Sequence, residues 1–150
     1  MRKLCINLNG TIAQDVSPEL FSFSDEDFGA FDVYNKIKVC DHLNVVTLVH
    51  RENAIGYCSY VFGSFHFEQG EILVTLNVDS VFIKEEYRKK GYSSLLATYV
   101  AYDLTSYIRS MIGEKTPYTF KDVSNYISDD GFEFTDRVCQ MVRGERPYSI

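Results

Sequence analysis

Residues 71–83, EILVTLNVDSVFI, constrain the fold more than any other stretch of the chain. The run is almost continuously apolar and rich in β-branched residues, and it is far too short to cross a membrane. It is therefore predicted as the central strand of a sheet, buried on both faces. A basic loop follows at once. From Ser93 to Met111 the apolar residues Leu96, Val100, Leu104, Ile108 and Met111 then recur at helical spacing, with Leu95, Tyr99 and Tyr102 widening the stripe. Strand, loop and long core helix in immediate succession require a sheet with a helix packed on it.

The flanks supply the other elements. KLCINL reads as a first strand that ends at the turn signal Asn9-Gly10. Residues 17–41 hold one or two helices, with Ser17 or Ser24 as caps and acidic residues at 25 to 27 suiting a first turn. NVVTLVH and IGYCSYVFGSFHF, within residues 44–67, are predicted as an antiparallel hairpin. After GEKTP, YTF is predicted as a short strand, KDVSNYISDD as a short helix ended at Gly131, and FEFTDRVCQMVR as a last strand or hairpin. There is no internal repeat, linker or low-complexity segment, and residues 1–150 are read as one domain.

Composition narrows the partners. A net charge of −6 argues against a broad basic surface for a phosphate backbone, so no nucleic-acid partner is expected. The opening MRKLCINLNG has too short an apolar run for a signal peptide, and no stretch reaches membrane-span length. A cytoplasmic protein with no membrane partner is expected. Cys5, Cys40, Cys58 and Cys139 are widely separated, without C-x-x-C or a histidine at metal-ligand spacing, so they read as free thiols and no metal is expected.

Against that acidic background, Arg88, Lys89 and Lys90 stand directly before Gly91, Tyr92, Ser93 and Ser94. The first N–H groups of a helix lack internal partners, and the helix dipole favours an anion there by roughly 0.3 to 1 kcal/mol. Gly91 allows an unusual backbone angle or close approach of a ligand, and the serines are small donors suited to capping. Two readings fit these residues: a phosphate cradle, or a solvated basic turn with a serine cap. Neither G-x-x-x-x-G-K-[ST] nor G-x-G-x-x-G is present, so it is no nucleotide P-loop.

With the strand included, the pattern runs Ile83, then Glu86 and Tyr87, then Arg88-x-x-Gly91-x-Ser93 and Leu95-Leu96. This resembles the acetyl-CoA motif of the GNAT superfamily of N-acetyltransferases, with Ser93 replacing the usual third small residue. Gly56 resembles the glycine that often starts the family's third strand. The resemblance reaches to about Leu104; the chain ends match in element order only.

The resemblance implies an α/β (α+β) GNAT fold, with a central mixed, mostly antiparallel sheet flanked by helices on both faces. It implies that main-chain groups of Val81, Phe82 and Ile83 pair with a pantetheine arm. N–H groups from Lys89 through Lys90, Gly91, Tyr92 and Ser93 to Ser94 would hold the pyrophosphate, and Arg88 would orient the turn. A bulge in the central strand would splay it from the next parallel strand and open a slot.

A lysine-like amine has a pKa near 10.4, so presenting it neutral at pH 7 costs roughly 4 to 5 kcal/mol unless the site supplies a base. Asn77 and Asp79 are expected on the face of Val81 and Ile83, in the register where the family often places that base. Asparagine cannot accept a proton, so Asp79 is the candidate. The plain alternative is a hydrogen-bonded polar pair near a bulge. The family's general acid is often a tyrosine in Tyr-x-x-x-Gly-Phe. Here Tyr126 stands before Gly131-Phe132 with four intervening residues, Ile127 takes the expected place, and Tyr118 is a further candidate. Asn125 is a candidate cofactor contact.

Three function classes follow. One is an enzyme moving acetyl from acetyl-CoA to a primary amine, cationic by the steering effect of the chain's negative charge. The second is a silent CoA-binding protein and the third an interaction or inhibitor protein on the same scaffold. A homodimer is left open.

Overall fold

The strands lie across the sheet in the order in which they occur along the chain. They are β1 (Lys3–Asn7), β2 (Asn44–His50), β3 (Asn53–His66), β4 (Ile72–Ile83) and β5 (Thr119–Asp122). β1 pairs with β2 in parallel, β2 with β3 and β3 with β4 antiparallel, and β4 with β5 in parallel. The two antiparallel pairings are the long ones, as expected of a mixed sheet built on a hairpin. This computed structural model describes residues 3–12, 34–37, 39–51, 53–125 and 129–145. Most of the helical region expected at 17–41 lies outside the described residues; 34–37 are helical.

Two apolar clusters separate the faces of the sheet. On one face Val46, Leu48, Cys58, Tyr60, Val74, Leu76 and Val78 pack against α1 (Tyr92–Met111) through Leu96, Val100 and Leu104. Each such side chain taken fully out of water contributes about 1.5 to 3 kcal/mol. On the other face Tyr34 and Ile37 pack with Val45, Val49, Ala54 and Tyr57. Tyr34 shares a 3.0 Å hydrogen bond with Thr47 Oγ1, and burial pushes its phenol well above its ordinary pKa. Lys3 Nζ donates to the carbonyls of Ile37, Cys40 and Leu43, which ties the end of β1 to the segment leading into β2.

Two expectations need correction. β4 is not buried on both faces: Val74, Leu76 and Val78 are buried, but Asn77 and Asp79, which alternate with them, are exposed. It is an alternating strand whose polar side is open. The end of the chain also differs, because Asp129–Val142 form a helix, α2, where a helix ending at Gly131 and a later strand were expected. Phe-Glu-Phe-Thr imitates strand alternation over four residues. Yet Phe134, Val138 and Met141 recur at helical spacing and are buried in the cluster that α1 shares with the sheet, with α2 packed on α1.

Gly56 shows how closely β3 and β4 approach. A Cβ there would meet the Phe82 main-chain oxygen at 3.0 Å and Ile83 Cγ1 at 3.2 Å. We expect Gly56→Val to destabilise the fold by about 1 to 3 kcal/mol through overpacking. A lowered urea midpoint would show it, and an unchanged midpoint would mean that the two strands separate freely here.

Candidate active site

The link from β4 to α1 is short and highly constrained. A single 3-10 turn, Glu85–Tyr87, follows Lys84, whose N–H is still bonded to the Ile55 carbonyl of β3. Arg88 is extended; Lys89 then adopts φ 60° and Gly91 φ 87°. Two left-handed residues with Lys90 between them turn the chain sharply, and such turns make concavities lined by main-chain N–H groups. A Cβ on Gly91 would meet nothing within 4 Å, so the glycine is required by its backbone angle, and the space before it is open.

Sequence reasoning gave the serines the capping role. In the structure the N-cap is Gly91 and has no side-chain cap bond, while Ser93 and Ser94 lie inside the first turn of α1. The first bond closing the helix runs from Leu95 N–H to the Gly91 carbonyl, so the N–H groups of Tyr92, Ser93 and Ser94 have no intrahelical acceptor. The serine hydroxyls accept instead from Arg137 Nη1 of α2, at 3.2 and 3.1 Å.

Arg88 lies where it can orient the turn. Its Nε donates to the Ile83 carbonyl at 2.7 Å, and its guanidinium lies 5.5 Å from the Phe82 ring centre. Lys90 Nζ is over Tyr87, whose ring in turn neighbours Tyr92. A cleft of about 500 Å³ opens beside this loop, lined by Val81, Phe82, Ile83, Lys89, Ser93 and Arg137 together with Phe134 and Glu133. The Lys84 N–H and the Phe82 oxygen face β3, so strand alternation turns the main-chain groups of Val81 and Ile83 outward. Phe82 therefore drops out of the expected main-chain trio, and the Ile83 carbonyl already has Arg88 as its donor.

β4 reaches this cleft by way of a bulge. Ser59 of β3 pairs with Ser80 and Tyr60 with Val78, which leaves Asp79 as an extra residue. The bulge reverses the strand's phase: Val74, Leu76 and Val78 face α1 before it, Val81 and Ile83 after it. Asn77 and Asp79 therefore do not share the face of Val81 and Ile83, as the uninterrupted alternation implied. They lie with Ser80 and Phe82 on the opposite one, Asn77 beside Val61. Beyond Leu76 and Asp122 the ladder with β5 stops, with Val123 N–H bonded to the Leu76 carbonyl and Val78 N–H to Ser124 Oγ. The strands part where the bulge begins.

Asp79 is exposed but held. Ser59 Oγ donates to its Oδ2 at 3.1 Å and lies 2.7 Å from Ser80 Oγ, and Ser59 itself is wholly buried. Tyr57, buried beside them, is pushed up to about 12 by burial and by the Asp79 charge, against the lowering effect of its bond with Ser80. The group can hold a carboxylate in a fixed direction with an ordered hydroxyl chain behind it.

The remaining candidates are more scattered. Asn125 is exposed just past β5, Tyr118 is exposed before it, and Tyr126 lies outside the described residues. Arg137 was missed because its segment reads as a strand; helical periodicity through Phe134, Val138 and Met141 is the signal that places it. Among the described residues no group of three or more His, Cys, Asp and Glu is placed to hold a metal, and no helix is long and apolar enough to cross a membrane.

No protein-family model matches the chain, and no curated protein sequence does. Solved structures do. The chain is similar to AtaT in complex with acetyl-methionyl-tRNAfMet, at 11% identity and a TM-score of 0.53 over 81% of this chain and 78% of that one. It is similar to a structure of the KacTA–DNA complex at 16% identity and 0.52, over 79% and 72%. An aminoglycoside acetyltransferase from an uncultured soil metagenomic sample aligns more loosely, at 11% identity and 0.42, over 87% and 70%. The fold is the GNAT acetyltransferase fold. Two of these GNAT-fold neighbours are complexes that include DNA or a tRNA, so they lend no support to the expectation of no nucleic-acid partner.

The hydroxyl chain generates a pH prediction. A phenol whose pKa rises from 10.0 to about 12 on folding stabilises the fold fully below pH 10, and the contribution is lost as pH rises through 12. We expect Tyr57→Phe to flatten the alkaline fall in stability between those values, measured as the urea midpoint against pH. An unaltered slope would mean that the Tyr57 hydroxyl reaches water.

Proposed function

We propose that the chain is an acetyl-CoA-dependent N-acetyltransferase that moves an acetyl group to a primary amine by direct attack in a ternary complex. The observation that carries this reading is the bulge at Asp79. It joins, on one strand, a fixed exposed carboxylate to a cleft that ends in main-chain N–H groups and cations. The open space before Gly91, the left-handed angles of Lys89 and Gly91, and the outward main-chain groups of Val81 and Ile83 fit a pantetheine diphosphate. Acetyl-CoA, when bound, supplies an activated acyl carbon and a thiolate leaving group.

The chain's own residues then have distinct tasks. Main-chain groups of Val81 and Ile83 align the thioester arm, and Lys89, Lys90 and the N–H groups of Gly91 to Ser94 neutralise the diphosphate, with Arg88 holding their turn. Asp79, two residues upstream and roughly 6 to 7 Å along the strand from Val81, takes the proton of the ammonium directly or through water. The amine nitrogen bonds to the acyl carbon as the carbon–sulfur bond breaks, and the nitrogen's remaining surplus proton passes to the departing thiolate. Asn77, on the same face as Asp79, orients the amine or a water. The acidic chain favours a cationic acceptor. A polyamine, an aminoglycoside, a lysine peptide and an aminoacyl-tRNA make the test panel, the last because one similar structure holds an acetylated aminoacyl-tRNA. The reading places the protein in the cytoplasm, where acetyl-CoA is available.

Acetyl-CoA at a hundred times its dissociation constant is expected to stabilise the fold by about 2.7 kcal/mol. A melting scan without any shift at millimolar acetyl-CoA would remove the reading. Asp79→Asn is expected to lower turnover by about a hundredfold with little change in acetyl-CoA affinity. Because a neutral amine needs no base, that defect shrinks as pH approaches the acceptor's own pKa. Turnover against pH with an accepted amine decides this, and a wild-type profile for Asp79→Asn would reduce Asp79 to a structural bulge residue.

A further inference from the structure

Of the cations that line the cleft among the described residues, Arg137 alone comes from outside the β4–α1 loop. Arg88 is already engaged with the Ile83 carbonyl and the Phe82 ring, and Lys89 is exposed on a flexible stem. Arg137 is half-buried and held through Nη1 by Ser93 and Ser94. Among the described residues its Nε and Nη2 have no protein partner. Glu133, one turn earlier on α2, lines the same cleft and is exposed, yet the two form no ion pair within 4.0 Å. A guanidinium anchored through one nitrogen, with three N–H donors left on Nε and Nη2, is arranged to take an oxyanion bidentately. The serines that anchor it belong to the helical turn whose own N–H groups are unpaired, so main-chain and side-chain donors converge on one end of the cleft.

We infer that Arg137 is the diphosphate-recognising side chain of this cleft, supplied across the site from α2, and that it makes the cleft selective for thioesters carrying a diphosphate. This rests on the acetyl-CoA reading above. Arg137 belongs to a different element from the loop donors, so the ligand bridges α2 to the start of α1.

Calorimetry on the full chain tests it with acetyl-CoA, 3′-dephospho-acetyl-CoA and acetyl-pantetheine. Arg137→Gln is expected to weaken both diphosphate ligands by about 10- to 100-fold while changing acetyl-pantetheine by less than about twofold. Arg137→Lys recovers part of the loss, since it keeps the charge without the fork. Equal loss for all three ligands would make Arg137 a strut that positions α2. Loss for acetyl-CoA but not for its dephospho form would assign it to the 3′-phosphate, and unchanged affinity would leave it no ligand role; each overturns the inference. Absence of acetyl-CoA binding by the wild-type chain would instead sink the function on which the inference rests, so the two failures are told apart by the first titration.

Discussion

Between Val78 and Ser80, β4 carries one residue more than β3 can pair, and the consequences run in both directions along the strand. Upstream, Val74, Leu76 and Val78 lock the strand to α1; downstream, Val81 and Ile83 take over that face after the phase change. Without the extra residue, a continuous alternation would bury Phe82 under α1 and turn Val81 and Ile83 to the opposite side. The parting from β5 begins at the same place, so one inserted residue re-aims the end of β4 just where its outer edge stops pairing with β5. Asp79 is exposed because it is that residue. Ser59 holds it because β3 offers a wholly buried hydroxyl directly opposite.

The loop after β4 depends on that re-aimed strand end. Arg88 can reach the Ile83 carbonyl because that group is turned outward and is not paired with a β5 N–H donor. The bond closes the 3-10 turn over Phe82, and the chain then needs two left-handed residues to reverse into α1. α1 itself is fixed by Leu96, Val100 and Leu104 on the sheet, so its unpaired N–H groups are presented by a rigid element. α2 adds the last wall through Phe134 and Arg137.

Much of this was legible in the sequence. The strand at 71–83, the glycine-led helix and the hairpin have strong signals, and Gly91 stood out as a position suited to an unusual backbone angle, which its φ of 87° bears out. The resemblance implied a bulge, but its position could not be read from alternation, which presumes that no residue is extra; the partner strand's register places it at Asp79. The last helix was obscured by Phe132, Phe134 and Thr135, whose residue types favour strands locally while burial follows Phe134, Val138 and Met141. Arg137 was lost with it, since a residue on a strand beyond Gly131 has no reason to meet Ser93. The serine cap was misassigned for a different reason: a left-handed Gly91 can end the loop without any side-chain cap, and that frees both hydroxyls for α2.

The charge distribution now has a physical account within the proposed reading. Arg88, Lys89, Lys90 and Arg137 gather around one helix start, and without them the rest of the chain is more acidic still. Screening confines the field of such a cluster to about 8 Å at physiological ionic strength. It can therefore compensate a diphosphate at the loop while the surface beyond it stays negative toward an approaching cation. Asp79 lies on the other face of β4 from Val81, upstream of the loop and outside the residues that line the cleft. Anion and cation are thereby drawn to different stretches of one strand, and the bulge between them is what allows a single β4 to present both.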